Sequence, residues 1–210
     1  MIVAIDGPAA AGKGTLARKL ADHYGFAHLD TGALYRAVAS RVLRAGASPD
    51  DDAAAAREAE ALTGTDLRAS DLRTERVSDA ASRVATVPGV RAALLEFQRT
   101  FARHPPEGRP GAVVEGRDIG TVVLPDADKK LFVTASAEVR AERRWRELAA
   151  GGAAVTLAEV LKSVVERDRR DQERAQSSLR MAAGAFLLDT TKLDIDAAFD
   201  AAKAFVSGQN

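Results

Sequence analysis

The sequence predicts an α/β protein built on a five-stranded parallel sheet with helices on both faces. Two observations support this fold class. Short apolar runs alternate with helical stretches along the chain, and these runs are apolar on both faces, as strands buried between two helical layers are. The runs predicted as strands are residues 2–6, 26–30, 112–115, 130–134 and 185–189.

Helices are predicted to follow the first two strands, at residues 15–24 and about 33–44. Two further stretches break this rhythm and are predicted to be helical. Residues 50–87 are polar and alanine-rich, whereas residues 137–179 are rich in arginine and are interrupted by Gly151-Gly152, a candidate hinge. We therefore expect one domain with two helical additions to its core. The core is predicted at about 1–31, 88–137 and 180–210, an insert at about 32–87 and a lid at about 138–179.

Composition excludes several classes of function. The 210 residues carry no net charge, which argues against a nucleic acid polymer as partner. The absence of cysteine excludes disulfides and thiolate zinc sites, and the three histidines are scattered, so no protein-ligated metal is predicted. The chain opens on a strand pattern without a signal sequence, and no apolar run approaches the length of a membrane span. We expect a cytoplasmic monomer.

A glycine-rich segment between the first strand and the first helix predicts a phosphate-binding loop. Glycines let backbone amides fold around a phosphate, the following helix adds its free N–H groups, and a lysine can follow the transferring phosphoryl group. The residues of this predicted ATP-binding loop are Gly7, Pro8, Ala9, Ala10, Ala11, Gly12, Lys13, Gly14 and Thr15.

One position of the loop departs from the usual pattern. Most P-loop proteins place a magnesium-binding Ser or Thr directly after the lysine, but this chain has Gly14 there and Thr15 one residue later. This Gly-Lys-Gly-Thr segment resembles that of the nucleoside monophosphate kinases, which implies that Mg²⁺ is held largely through water and the phosphates of ATP, and a GTPase switch is disfavoured. Residues 191–194 match a short guanine-reading pattern, but a polar loop beside a capped helix is the favoured interpretation.

Two more motifs follow predicted strands. Residues 30–36 begin with Asp, Thr and Gly at a helix start, where Thr31 is expected to cap the helix and Arg36 lies further along it. On their own these residues indicate capping more than catalysis. Arg117 and Asp118 lie at the carboxyl end of the third strand, which faces the crevice where open α/β sheets bind ligands.

These motifs together resemble the bacterial cytidylate kinases, a family of P-loop nucleoside monophosphate kinases. The resemblance rests on residues 7–15, 30–36, 115–121 and 166–171 in this order, and it spans nearly the whole chain. It implies transfer of a phosphoryl group from ATP to CMP or dCMP. Residues 62–74 are short and turn-like compared with the longer insert of several members, so we expect a reduced, helical acceptor-binding insert and leave the choice between CMP and dCMP open.

The resemblance also implies roles for single residues. Residues expected to hold the CMP phosphate are Thr31, Arg36 and Arg117. Residues expected at the pyrimidine are Ser82, Arg91, Asp118 and Arg174, with Tyr35 also at the acceptor; those expected at the ribose are Arg167 and Asp171. Without the resemblance, the spacing of Arg167, Asp171 and Arg174 indicates a solvated, salt-bridged helix face rather than a binding site.

The predicted mechanism is alignment and charge neutralisation, without a general base. Lys13, magnesium and two lid arginines, Arg140 and Arg144, are expected to cover the transferring group, while Arg36 and Arg117 aim the acceptor phosphate. Two alternatives stay open at this point. One is a P-loop kinase for UMP, AMP or shikimate, and the other is a nucleotide-gated switch protein.

Overall fold

A computed structural model describes residues 1–173 and 178–208. The chain divides into two compact units: Met1–His28 with Pro105–Asn210, and Leu29–His104. Within the described residues, none of the helices combines the length and apolar composition that crossing a bilayer requires.

The strands form a five-stranded sheet in the order β2-β3-β1-β4-β5. They are β1 (Ile2–Asp6), β2 (Ala27–Asp30), β3 (Ala112–Gly116), β4 (Lys129–Thr134) and β5 (Phe186–Asp189). The pairs β1–β3, β1–β4 and β4–β5 are parallel, and Asp6 at the end of β1 is opposite Gly116 at the end of β3. The predicted α/β class is confirmed, and all five strands begin and end within one residue of their predicted bounds.

The helices of the first unit cover this sheet and extend beyond it. They are α1 (Lys13–Tyr24), α6 (Ala137–Ala150), α7 (Leu157–Glu173) and α8 (Ile195–Ser207), with short helical turns at Pro106–Gly108 and Ile119–Val123. Apolar side chains of β1, β4, α1 and α8 share one core, including Ile5, Leu16, Leu20, Val133 and Val206. Removal of this apolar surface from water is the main force that holds α1 and α8 on the strands.

Helices α6 and α7 form a hairpin with a small core of their own. Ala141, Val160 and Val164 are buried there, and the Trp145 indole N–H donates to the Val155 carbonyl at 3.0 Å. The helix break predicted at Gly151-Gly152 is confirmed, because α6 ends at Ala150 and Gly152 has a φ of +81°, a conformation that favours glycine.

The second unit is helical, as predicted. It contains α2 (Thr31–Arg44), α3 (Asp52–Glu60), α4 (Glu75–Val84), α5 (Pro88–Arg103) and a short 3₁₀ turn at Asp66–Arg68. The unit continues to His104, beyond the insert boundary predicted near residue 87. The reason is that α5 packs on α3, where a Cβ at Gly89 would lie only 2.8 Å from the Ala56 side chain.

Candidate active site

The glycine-rich loop lies where the sequence predicted it, between β1 and α1. Gly7 has a φ of +146°, and a Cβ there would lie 1.9 Å from the Val133 carbonyl oxygen, so no other residue fits. Helix α1 begins at Lys13 and directs its free N–H groups into the loop. The Lys13 ammonium is buried and donates to the Pro8 carbonyl at 2.8 Å, which keeps a positive charge inside the loop.

A buried carboxylate stands beside the position where most P-loops carry Ser or Thr. A Cβ at Gly14 would lie 3.3 Å from Glu115 Oε1. His28 Nε2 lies 3.0 Å from the same oxygen, and the Glu115 side chain is only 8% exposed. Glu115 lies within the motif at residues 115–121, but no role was predicted for it from the sequence. The signal in the sequence that could have indicated a role was the position of Glu115 at the end of a predicted strand, which the structure places next to β1.

The turn after β3 carries Arg117 and Asp118 and continues into a π-helical turn, Ile119–Val123. Asp6 accepts hydrogen bonds from the Ile119 and Gly120 N–H groups, both at 2.7 Å. Burial raises the pKa of Asp6 to about 6, although these two N–H groups act in the opposite direction. Asp118 is buried as well, so two carboxylates meet at this end of the sheet.

The structure brings Arg117 and Asp171 together. The Arg117 Nε–H donates to Asp171 Oδ2 at 2.8 Å, and the Asp171 side chain is 1% exposed. A buried partner that accepts from Nε orients the guanidinium plane. Arg167 lies on α7 one turn before Asp171, and Arg174 lies outside the described residues.

Arg140, which was predicted to cover the transferring group, contacts the glycine-rich loop, and its guanidinium is engaged by groups of the protein itself. It forms a two-pronged ion pair with Asp168 at 3.0 and 2.6 Å, and it donates to the Ala135 carbonyl at 2.9 Å and the Ala9 carbonyl at 3.3 Å. Sequence reasoning missed Asp168, which is 28 residues from its partner.

A second arginine of α6 also reaches the loop, and it was not among the predicted site residues. Arg143 donates to the hydroxyl of Thr190 at 3.0 Å and to its carbonyl at 2.8 Å. The Thr190 hydroxyl lies 3.1 Å from the Ala11 carbonyl in the loop. Arg144, which was predicted instead, forms an ion pair with Glu147 at 3.2 Å.

In the second unit, the start of α2 corrects one detail of the prediction. Asp30 rather than Thr31 caps the helix, because its Oδ1 accepts from the Ala33 N–H at 3.1 Å and Thr31 is already the first helical residue. Asp30 Oδ2 also accepts from Arg36 at 2.7 Å, which holds the arginine over the helix start. Thr31 is buried beside them.

The other predicted acceptor residues of this unit lie on α2, α4 and α5. The Arg91 guanidinium lies 3.3 Å from the Tyr35 hydroxyl. Ser82 is 1% exposed, and its hydroxyl has no hydrogen-bond partner within the described part of the chain. A buried hydroxyl without a partner is costly, so such a group is a candidate for contact with a ligand.

Comparison with known proteins gives a consistent result across the chain. The family described as cytidylate kinase matches residues 3–206. The cytidylate kinase of Paramagnetospirillum magneticum is 56% identical over 208 residues, which cover 99% of this chain and 98% of that protein. The cytidylate kinase of Rhodospirillum rubrum is 54% identical over 202 residues, which cover 96% and 95%.

Among solved structures, an uncharacterized protein from Eubacterium ventriosum aligns with a TM-score of 0.57 at 16% identity, covering 99% of this chain and 98% of the other. At this level of identity the likeness is one of fold.

Proposed function

This chain belongs to the cytidylate kinase family, and from that premise we propose that it transfers the γ-phosphoryl group of ATP to CMP or dCMP, giving CDP or dCDP. One observation of the structure carries the proposal. The phosphate loop follows β1 and the Arg117-Asp118 turn follows the adjacent parallel strand β3, so donor-type and acceptor-type groups lie at one edge of the sheet.

The donor site is the loop from Gly7 to Thr15. Its backbone amides and the amino end of α1 suit the phosphates of ATP. Lys13 donates to the Pro8 carbonyl, and it would exchange that carbonyl for a phosphate oxygen of bound ATP. Because a phosphoryl transfer spreads negative charge over the transferring oxygens, a buried cation at this point stabilises the transition state.

The groups around Gly14 fit a magnesium ion held through water. Mg²⁺ retains several waters and prefers carboxylate and phosphate oxygens. Glu115 offers a buried carboxylate beside the space that the missing side chain of Gly14 leaves, and His28 orients it. We assign Glu115 as the residue that would bind a magnesium-bound water. The ion would neutralise charge on the ATP phosphates.

The acceptor phosphate would be held by Thr31, Arg36 and Arg117. Arg36 is oriented by Asp30 and Arg117 by Asp171, so each arginine has a carboxylate that fixes its direction before the substrate binds. A phosphate oxygen is already an adequate nucleophile, so no general base is required. The arginines lower the repulsion between the two anionic phosphates and align them.

The cytosine base would be read by Asp118 together with Ser82, Arg91 and Arg174, with Tyr35 supporting Arg91. A carboxylate accepts from the amino group of cytosine, which uracil lacks, and arginine donates to ring acceptors. The buried hydroxyl of Ser82 supports its assignment as a ligand contact. Arg167 and Asp171 would reach the ribose, which gives Asp171 a second role besides orienting Arg117.

The lid would exclude water so that ATP is not hydrolysed. Arg140 and Arg144 are proposed to cover the transferring group. Arg140 would have to release the Ala9 carbonyl or share it, since its present contacts shape the loop itself. We further propose that the protein is cytoplasmic and acts as a monomer. Light scattering on the purified protein tests the monomeric state.

The test of the proposed function is a coupled assay with ATP and a panel of CMP, dCMP, UMP and AMP. We expect CMP or dCMP to give the highest kcat/KM. Asp118→Ala should lower kcat/KM for CMP far more than for UMP, because a site with an unpaired buried polar group loses ~1–3 kcal/mol. Arg36→Ala is the matched control and should impair both substrates equally, since phosphate carries no base information. A panel in which UMP or AMP is the preferred acceptor would contradict the proposal.

A further inference from the structure

Asp6 is a buried carboxylate where β1 ends, one residue before the phosphate loop. It is 3% exposed. Its Oδ1 accepts from the Ile119 N–H and its Oδ2 from the Gly120 N–H, each at 2.7 Å, and these partners lie 113 and 114 residues away in the sequence. The strand register places Asp6 opposite Gly116, so one side chain ties the end of β1 to the turn after β3.

The first backbone N–H groups of that turn need hydrogen-bond acceptors from elsewhere in the fold. Ile119–Val123 is a single π-helical turn, and the first N–H groups of any helix lack partners within it. Asp118 precedes the turn, and within the described residues its own side chain does not cap it. Both carboxylate oxygens of Asp6 are used for this purpose instead. The direction of the main chain just after Arg117 and Asp118 is therefore set by Asp6.

This arrangement is costly for stability. Burial is the largest influence on Asp6 and raises its pKa, and the nearby charge of Asp118 acts in the same direction. The two backbone N–H groups and Lys13 oppose that rise. A neutral side chain at this position would avoid the cost of burying a carboxylate, and ionisable groups with strongly perturbed pKa values are concentrated at functional sites.

We propose that Asp6 is a positioning residue for acceptor recognition, which fixes Arg117 and Asp118 relative to the phosphate loop by holding the N–H groups of Ile119 and Gly120. The inference rests on the proposed function, because it requires that Asp118 reads the base. Asp6 touches neither substrate in this scheme. It acts through the main chain of the turn, and it links the strand that carries the donor loop to the residues that select the acceptor.

The decisive measurement is the ratio of kcat/KM for CMP to kcat/KM for UMP in Asp6→Asn. The asparagine keeps the size of the side chain but offers one acceptor oxygen and turns an NH₂ group toward the second N–H. We expect the ratio to fall roughly tenfold or more, as the loss of one buried polar contact does. A purely structural role would lower the fraction of active enzyme, and that fraction cancels in the ratio.

Two further variants make the test specific. Asp128→Asn is the matched control: Asp128 Oδ2 accepts from the Ile2 N–H at 2.6 Å, so this change removes a carboxylate from the opposite end of the same strand. Its ratio should equal that of the wild type. Gly120→Ala disturbs the contact from the other side, because a Cβ there would lie 3.3 Å from Asp6 Oδ2. It should lower the ratio in the same direction, and it tests the inference even if Asp6→Asn does not fold.

The double variant Asp6→Asn with Asp118→Ala should have a ratio of kcat/KM for CMP to kcat/KM for UMP no lower than that of Asp118→Ala alone. The reason is that the effects of two residues that act as one unit are not additive. A wild-type ratio in both Asp6→Asn and Gly120→Ala would overturn the inference. That result is distinct from failure of the proposed function, which the wild-type enzyme would reveal by preferring an acceptor other than CMP or dCMP.

Discussion

Both faces of the α6–α7 hairpin carry arginine–carboxylate ion pairs, but the pairs are buried on the inner face and exposed on the outer face. On the inner face, Arg140 pairs with Asp168, and Asp171 receives Arg117 from the turn after β3. On the outer face, Arg146 pairs with Glu142 and Arg169 with Glu173. The Arg140 side chain is 5% exposed and that of Arg146 is 68% exposed.

Burial rather than residue type therefore separates an arginine that is held in one direction from a solvated surface arginine. Exposed ion pairs contribute little to stability because water and salt screen them. Buried pairs hold a side chain in one direction, and removal of one partner leaves a charge without compensation. The spacing of Arg167, Asp171 and Arg174 by itself predicted a solvated, salt-bridged face; α7 carries such a pair in Arg169–Glu173, but its Asp171 is buried against Arg117.

The contrast between the two faces should be largest in catalysis. Arg117→Ala removes the arginine that the inner face orients, and we expect kcat/KM for CMP to fall ~10²–10³-fold, as loss of one preorganised electrostatic contact does. Steady-state kinetics measure it.

Arg169→Ala is the matched control, since it removes one positive charge from the exposed face of α7. It should keep kcat/KM within about twofold of the wild type, because surface substitutions of this kind act weakly. Similar losses in both variants would mean that overall charge, and not the oriented arginine, governs binding.

The next effect is on stability. Asp168→Ala leaves the buried Arg140 guanidinium without its two-pronged partner, and we expect the free energy of unfolding to fall by about 2 kcal/mol, below the usual cost because Asp168 is partly exposed. Glu142→Ala on the outer face should change it by less than ~0.5 kcal/mol. Urea unfolding of both variants measures the difference. Equal free energies of unfolding in the two variants would show that burial gives the inner pair no greater contribution to stability than the outer pair.

The dependence of stability on pH should also differ in sign between a buried carboxylate and an exposed one. Burial raises the pKa of Asp6 from 3.8 to about 6, so the folded state binds an extra proton between these values. The stability of the wild type relative to Asp6→Asn should therefore decrease as pH rises from about 4 to 7. Glu159 is exposed at the start of α7, and hydrogen bonds from Thr156 lower its pKa.

The stability of the wild type relative to Glu159→Gln should accordingly decrease as pH falls through the lowered pKa of Glu159. Urea unfolding from pH 7 down to about pH 3, below the ordinary pKa of a glutamate, tests both slopes. Two slopes of the same sign would show that burial does not control the protonation of Asp6.

Much of the fold follows from local patterns in the sequence. The strands were predicted from apolar runs, the loop between β1 and α1 from its glycines and Lys13, and the break between α6 and α7 from Gly151-Gly152. Each is a property of a few neighbouring residues, which is why a single chain without its structure predicts it. Asp194 caps α8 by accepting from the Ala197 N–H, as the favoured interpretation of residues 191–194 implied.

The partners within the site were decided by tertiary structure alone. Asp6 meets the turn at Ile119 because parallel strands β1 and β3 end in register, and Arg143 reaches Thr190, 47 residues later, because α6 starts beside the end of β5. Glu115 stands beside Gly14 for a similar reason. Contacts between residues far apart in the chain leave no periodic signal in the sequence. The sequence motifs, through the family resemblance that they carry, therefore indicated the reaction, while the packing of strands and helices determined which carboxylate orients which arginine.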